Sequence, residues 1–398
     1  VPKYIWILVI ATAINVTGGS FLWPLNTIYM HNELGTSLTF AGIVLMFNQG
    51  FAILGNLVGG YLFDKIGGYK TLLFGTSSAI VFTITLAFHH SIVPYIILLI
   101  LIGFSSGVIG PSMFAMAASL WPEGGRRAFN AVYVAQNLGV ALGTALGGFI
   151  ASYSFDYIFI GNASVFFIFF IVVVFAFKPM DKLANAQSYT TVIDQGKKIA
   201  NKASLYSLII LSIGFLVCWI AYSQWQGTIS SYTQDLGMEV SQYSLLWTIN
   251  GLLIILAQPI VKFVGNKIPS TKTQIYIGNT IFLISFVYLL FANTFIDFVI
   301  AMTILTIGEV LVWPAVPSLA NDLAPKGKTG FYQGIINSVG AAGRMTGPVL
   351  GGLVVDYSNI HVLFGILIVL YFIPYVTTYS YDRKLIQQQK QTEEVSMS

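Results

Sequence analysis

Two charges lie deep inside long apolar runs of this chain: Glu309 in the run from 296 to 319, and Arg344 in the run from 331 to 354. Each is about ten to thirteen residues from the basic-flanked end of its run, so at a helical rise of about 1.5 Å per residue the two fall at similar depth and could meet. A charge at such depth costs at least about 2.5 to 3.5 kcal/mol, which is recovered when the residue faces a cavity or an opposite charge. The chemistry open to such residues is proton exchange. A low-dielectric cavity favours a protonated acid, a nearby cation or water favours the carboxylate, and a motion that changes either moves a proton. The competing reading is a static ion pair that holds this part of the chain together.

Residues suited to a broad organic ligand surround these charges. Trp219, Tyr222 and Gln226 recur at three- and four-residue spacing, which places them on one helical face, and Trp313 follows Glu309 by one turn. Asn48 and Gln49, Gln136 and Asn137, and Asn15 and Asn26 add hydrogen-bonding groups in other runs. Aromatic faces attract cations by about 0.5 to 2 kcal/mol, which suits lipophilic cationic compounds. Trp23, Trp121 and Trp225 read instead as anchors at a membrane interface. No metal or cofactor site is expected, since Cys218 is the one cysteine and His31, His89, His90 and His361 sit at run edges without ligand spacing. No nucleophile and base pair or nucleotide-binding loop appears between the runs, so an enzyme is not expected.

The elements that must position these groups follow from composition. The chain is 56% hydrophobic and 9% charged, with a mean hydropathy of +0.78. Soluble domains carry roughly 25% charged residues. A membrane-spanning helix needs about 20 apolar residues, and twelve such runs are present. The first six cover 4–30, 38–61, 71–89, 92–118, 128–152 and 156–177; the second six cover 204–232, 240–264, 272–293, 296–319, 331–354 and 359–380. The expected class is an all-α integral membrane protein of twelve transmembrane helices.

Of the 19 Lys and Arg residues, all except Arg344 precede the first run, fall in or at the edges of every second gap between runs, or lie in the tail. Short basic loops stay in the cytoplasm, so both termini and the even gaps are expected there, in a multi-pass protein of the cell membrane. The net charge of +4 then reports topology and contact with anionic membrane lipid, and implies no nucleic acid.

The second half echoes the first at an offset of about 204 residues. Gly139, Gly143, Gly147, Gly148 and Tyr153 match Gly343, Gly347, Gly351, Gly352 and Tyr357. The reading is two pseudo-symmetric six-helix bundles, 1–178 and 204–381, joined by a polar basic linker at 179–203 and followed by a tail at 382–398. Duplicated bundles around a midplane site are the common design of secondary transporters. Glycines at every fourth position let helices approach closely, either to slide or as fixed packing seams. Glu309 and Arg344 map onto Ser106 and Val140, so neither charge is repeated in the first half.

The gap after the second run reads Gly60-Tyr61-Leu62-Phe63-Asp64-Lys65-Ile66-Gly67-Gly68-Tyr69-Lys70. It resembles the signature loop of the major facilitator superfamily, in the position where that family carries it. With twelve runs, a 6+6 repeat and a central linker, the resemblance covers almost the whole chain and implies the fold of that family. It also implies that Asp64 holds a cytoplasmic gate shut against the N-terminus of the eleventh helix, with Gly60, Lys65, Gly67 and Lys70 completing the loop. Arg126 and Arg127, in the equivalent gap after the fourth run, are candidate partners of Asp64 or simply topology signals.

The drug:proton antiporter branch adds a glycine-rich proline motif to the fifth helix. Here Thr144 replaces that proline, and the full form, with Pro348, lies between Gly343 and Gly352 in the eleventh run. The branch's buried Arg in the fourth helix is Leu99 here. The run Gly308-Glu309-Val310-Leu311-Val312-Trp313-Pro314 resembles the tenth helix of lactococcal-type multidrug antiporters. These likenesses imply alternating-access efflux of amphipathic or cationic small molecules in exchange for protons, by a monomer driven by the proton gradient. A proton-driven importer of short peptides and a lipid flippase remain as alternatives.

Overall fold

The computed structural model describes residues 2–385 apart from 23–25, 27–28, 37, 90, 152–153, 182–199 and 239. Among the described residues there are helices and turns and no strand. The first half forms α1 (Lys3–Leu22), α2 (Leu38–Ile66), α3 (Gly68–Phe88), α4 (Ile92–Leu120), α5 (Arg126–Ala151) and α6 (Phe155–Val172), the last running on through a π-helical turn at Val173–Phe177. The second half forms α7 (Ala200–Ser223), α8 (Thr228–Asp235), α9 (Val240–Leu256), α10 (Gln258–Lys267), α11 (Thr271–Leu289), α12 (Phe295–Val312), α13 (Ala315–Leu323), α14 (Thr329–Tyr357), α15 (Ile360–Leu370) and α16 (Phe372–Ser380).

In their described residues all twelve apolar runs are mainly helical. Among the described residues, eight helical segments are long and apolar enough to cross a membrane, and Leu245–Leu256 with Gln258–Lys267, bent by 47°, makes a ninth. The other three runs are α5, α11 and α14, of 26, 19 and 29 residues, each close to or above the length of about 20 that a span requires. Glycines, amides and charges dilute the apolar character of α5 and α14.

The continuous helices expected in the seventh, eighth, tenth and twelfth runs are each broken, at Ser223–Thr228, Ala257, Trp313–Pro314 and Tyr371. Pro259, Pro314 and Pro374 stand at or just beyond three of these breaks, where a missing N–H and a ring clash with the carbonyl four residues earlier stop a regular helix. At the fourth, backbone bonds tighten to an i→i−3 pattern from Gln224 to Gln226. Helix starts are marked locally. Thr294 caps α12 in a reciprocal box with Asp297, whose carboxylate accepts the Thr294 N–H at 2.8 Å, and Asn359 caps α15 by accepting the Val362 N–H at 3.0 Å.

The chain divides into two compact units, Val1–Asp194 with Lys326–Ala341, and Gln195–Pro325 with Ala342–Ser398. The first contains the start of α14 and the second its remainder. Most of the linker expected at 179–203 lies outside the described residues; Met180 and Asp181 extend the helical segment after α6, and α7 begins at Ala200. The tail at 382–398 is described only to 385.

Within each unit the repeated glycines form a seam. A Cβ on Gly139 would fall 2.7 Å from the Ala13 carbonyl oxygen, and one on Gly147 2.9 Å from that of Phe21, so α5 packs backbone to backbone on α1 with Gly143 between them. In the second unit Gly343, Gly347 and Gly351 lie in the same way on Trp219, Ser223 and Gln224 of α7 and the turn after it, and Pro348 packs on Gly227. The first unit's core gathers Leu8, Phe129, Phe166, Phe169 and Phe177.

Candidate functional site

Glu309 is 2% exposed, in the last turn of α12. The Asn250 side-chain amide, from α9, donates to its Oε2 at 2.8 Å and to Thr306 Oγ1 at 2.8 Å; the Tyr222 hydroxyl, from α7, donates to Oε1 at 3.3 Å. Two helices, α7 and α9, thus hold the α12 carboxylate through neutral donors. A hydroxyl and an amide can serve either charge state of the acid, because the hydroxyl can turn to accept when the carboxyl carries its proton.

Aromatic rings wall this group. Trp219 and Trp313 stack with centroids 4.7 Å apart and planes 18° from parallel. Tyr222 meets both edge-on, at 5.6 and 5.4 Å, Phe215 meets both at 6.1 and 5.5 Å, and Phe282 lies 5.3 Å from Trp313. The Arg344 guanidinium lies over the Trp219 ring, 4.5 Å from its centroid. Tyr222 is within electrostatic reach of both Glu309 and Arg344. The two charges are therefore in one cluster, joined through Tyr222 and Trp219. Among the described residues the recorded contact of Arg344 is with the face of Trp219 and not with a carboxylate. A cation–π contact is worth about 0.5 to 2 kcal/mol, less than the roughly 2.5 to 3.5 kcal/mol that a charge costs at this depth.

The face expected to carry Trp219, Tyr222 and Gln226 is cut short. Helix α7 ends at Ser223, so Gln226 leaves that face and sits half-buried in the turn before α8. Gln224 lies inward instead. It is fully buried, and its amide donates to the carbonyls of Ile220 at 2.9 Å and Gly347 at 2.7 Å, locking the turn to α14. Trp225, expected at an interface, is fully buried because the same turn carries it inward, where its carbonyl accepts the Tyr243 hydroxyl. Trp23 lies outside the described residues, and Trp121 packs against the first unit's core.

The first unit holds the other expected ligand residues. Asn48 donates to the Leu99 carbonyl at 2.7 Å, tying α2 to α4, and Asn137 donates to the Tyr133 carbonyl one turn back in its own helix at 2.9 Å; Gln49, Gln136 and Asn15 are half-buried. Asn26 is buried and accepts the Tyr95 hydroxyl at 2.7 Å.

The first unit also holds the signature loop. Asp64 accepts the Gly330 N–H at 2.8 Å and the Phe331 N–H at 2.9 Å, capping the first turn of α14. A carboxylate there meets the positive end of the helix dipole. Gly60 lies so close to Gly330 that a Cβ would strike its carbonyl oxygen. The cation within reach of Asp64 is Lys328, which the sequence reading did not single out in place of Arg126 and Arg127. Lys65 lies over the Tyr61 ring at 5.5 Å. Gly67 has φ of +89°, which makes the turn into α3, and the Gly68 N–H is capped at 2.9 Å by Asp181, from the segment after α6. Lys70 stands in the first turn of α3, and Arg126 and Arg127 open α5.

Sequence reasoning missed Asn250, Phe215, Phe282, Gln224, Lys328 and Asp181. Asn250 carried a usable signal, as an amide in the middle of an apolar run. Gln224 carried the same signal; Phe215, Phe282, Lys328 and Asp181 carried none, since Phe and peripheral charges are common in such chains.

Comparison with known proteins agrees with this architecture. The chain is 52% identical over 398 residues, the full length of both, to the uncharacterized MFS-type transporter YttB of Bacillus subtilis (strain 168). It is 22% identical over 360 residues to the multidrug resistance protein MdtH of Aeromonas salmonicida (strain A449), covering 89% of this chain and 88% of that one. The crystal structure of the human organic anion transporter MFSD10 (TETRAN) superposes with a TM-score of 0.69 at 14% identity, over 95% of this chain and 100% of that one, a likeness of fold. The Major Facilitator Superfamily model matches residues 8–232 and 215–395. This multi-pass membrane chain, a transporter and not an enzyme, belongs to the Major Facilitator Superfamily.

Proposed function

We propose that the chain exports amphipathic small molecules, including cationic ones, in exchange for protons by alternating access, with Glu309 as the proton carrier. The observation that carries this reading is the buried Glu309 carboxylate held by Asn250 and Tyr222 inside an aromatic wall. A carboxyl with neutral partners can gain and lose a proton without leaving an opposite charge stranded. The name of the multidrug relative supports the direction and the substrate class.

In this reading Asp64 is the gate acid on the cytoplasmic side. It caps α14, the helix that continues to Arg344, so its hold on the first turn bears on the element that carries one wall of the site. The termini and the 179–203 linker face the cytoplasm, lipid surrounds the helices, and the monomer uses the proton gradient with no other cofactor. Vesicles of known orientation under an imposed pH gradient, loaded with ethidium and a labelled dipeptide, test the proposal. Ethidium movement opposite to proton flow is expected. Dipeptide moving with the protons would overturn it in favour of import.

A further inference from the structure

Donors outnumber acceptors at one edge of the aromatic cluster. Arg344 brings a planar fork of five N–H groups, yet its contact is with the face of Trp219, 4.5 Å away, and among the described residues it makes no hydrogen bond or ion pair. The Trp219 indole N–H, beside it, is buried without an acceptor. The recorded partners of Glu309 on its two oxygens are Asn250 and Tyr222, and the recorded contact of Arg344 is the Trp219 face. Arg344 is nevertheless partly accessible, so its donors are within reach of a ligand. The aromatic face covers only part of the cost of holding the cation at this depth. A guanidinium fork matches a carboxylate, sulfonate or phosphate group in two parallel hydrogen bonds, and stacking on Trp219 fixes its plane.

We propose that Arg344 receives the anionic group of an amphipathic substrate whose ring system lies along Trp219 and Trp313, so that the preferred substrates are ring-bearing acids or zwitterions. This rests on the transport reading and narrows its substrate class. In a zwitterion the cation would be drawn to the Glu309 side of the same cluster, one aromatic layer away. The anion fills a deficit that the described residues leave.

The test uses a xanthylium dye as its free carboxylate and as its methyl ester, two probes that share one ring system. Binding to the full chain in nanodiscs of neutral lipid is followed by fluorescence polarisation, and proton-driven flux of both dyes is measured in vesicles. The parent should bind the acid about 10- to 100-fold more tightly than the ester, the range expected for a charge-assisted hydrogen-bonded pair. In Arg344→Gln that ratio should collapse toward one, and Arg344→Lys should retain part of it. Equal binding of acid and ester by the parent overturns the proposal whatever the variants do, as does a preference that survives Arg344→Gln. Phosphatidylglycerol added to the nanodiscs forms a further arm: displacement of the acid dye by that lipid would assign Arg344 to a headgroup and overturn the substrate reading. Proton-driven flux without acid preference would remove the anion site and leave transport standing. Acid preference without proton-driven flux would do the reverse.

Discussion

Glu309→Gln separates a proton carrier from a structural acid. Gln retains one oxygen, which can still accept from Asn250 at the 2.8 Å contact, and its new NH2 faces the Tyr222 hydroxyl, which can rotate to accept. Two charge-assisted hydrogen bonds become neutral ones. At about 1.5 to 3 kcal/mol against about 1 kcal/mol each, the gross loss is about 1 to 4 kcal/mol, offset by removal of a buried charge. The net change in stability is expected to be under about 2 kcal/mol, a shift of a few degrees in Tm for a chain of this size. Breaking a buried ion pair would instead cost about 3 to 5 kcal/mol and would be rescued by also replacing Arg344. Uphill flux driven by a pH gradient should vanish in Glu309→Gln and its pH dependence should flatten, while downhill flux partly survives. Thermal unfolding of the purified variant and flux in vesicles are measured on one preparation. Normal coupling, or a large loss of stability that Arg344→Gln restores, would refute the reasoning.

Asp64→Asn removes the charge that caps α14 and leaves one acceptor for two N–H groups, so it should shift the cytoplasmic gate by about 1 to 2 kcal/mol toward open. Spin-label distances across the cytoplasmic face report this, and unchanged populations would reject the gate role. Gly60→Ala places a methyl group against the Gly330 carbonyl oxygen, so about 1 to 3 kcal/mol of stability should be lost, read as a lower Tm; a Tm equal to the parent's would show that this close approach is not needed. In a Cys218→Ser background, single cysteines at Ser188 and Ser358 should label from opposite faces of intact cells. Labelling of both from outside would contradict the orientation argued from the basic gaps.

Class, the apolar runs, the repeat and the family loop were legible in the sequence, because each depends on local composition or on spacing along one chain. Apolar length sets a span and glycine spacing sets a close-packed seam, as α5 on α1 and α14 on α7 show. Glu309 and Arg344 stood out for the same reason, as charges where the surrounding residues are apolar. Tertiary structure alone decided what those charges meet. Asn250 lies 59 residues from Glu309 in the chain and Tyr222 lies 87 from it, and no local pattern ties them to one carboxylate. Packing likewise chose Trp219 as the surface under Arg344, brought Asp181 to the start of α3, and ended α7 at Ser223, so that Gln224 and Trp225 turned inward and Gln226 did not. Helical periodicity holds only while the helix continues, and Gln224 ends it by taking carbonyls that belong to two helices distant in sequence.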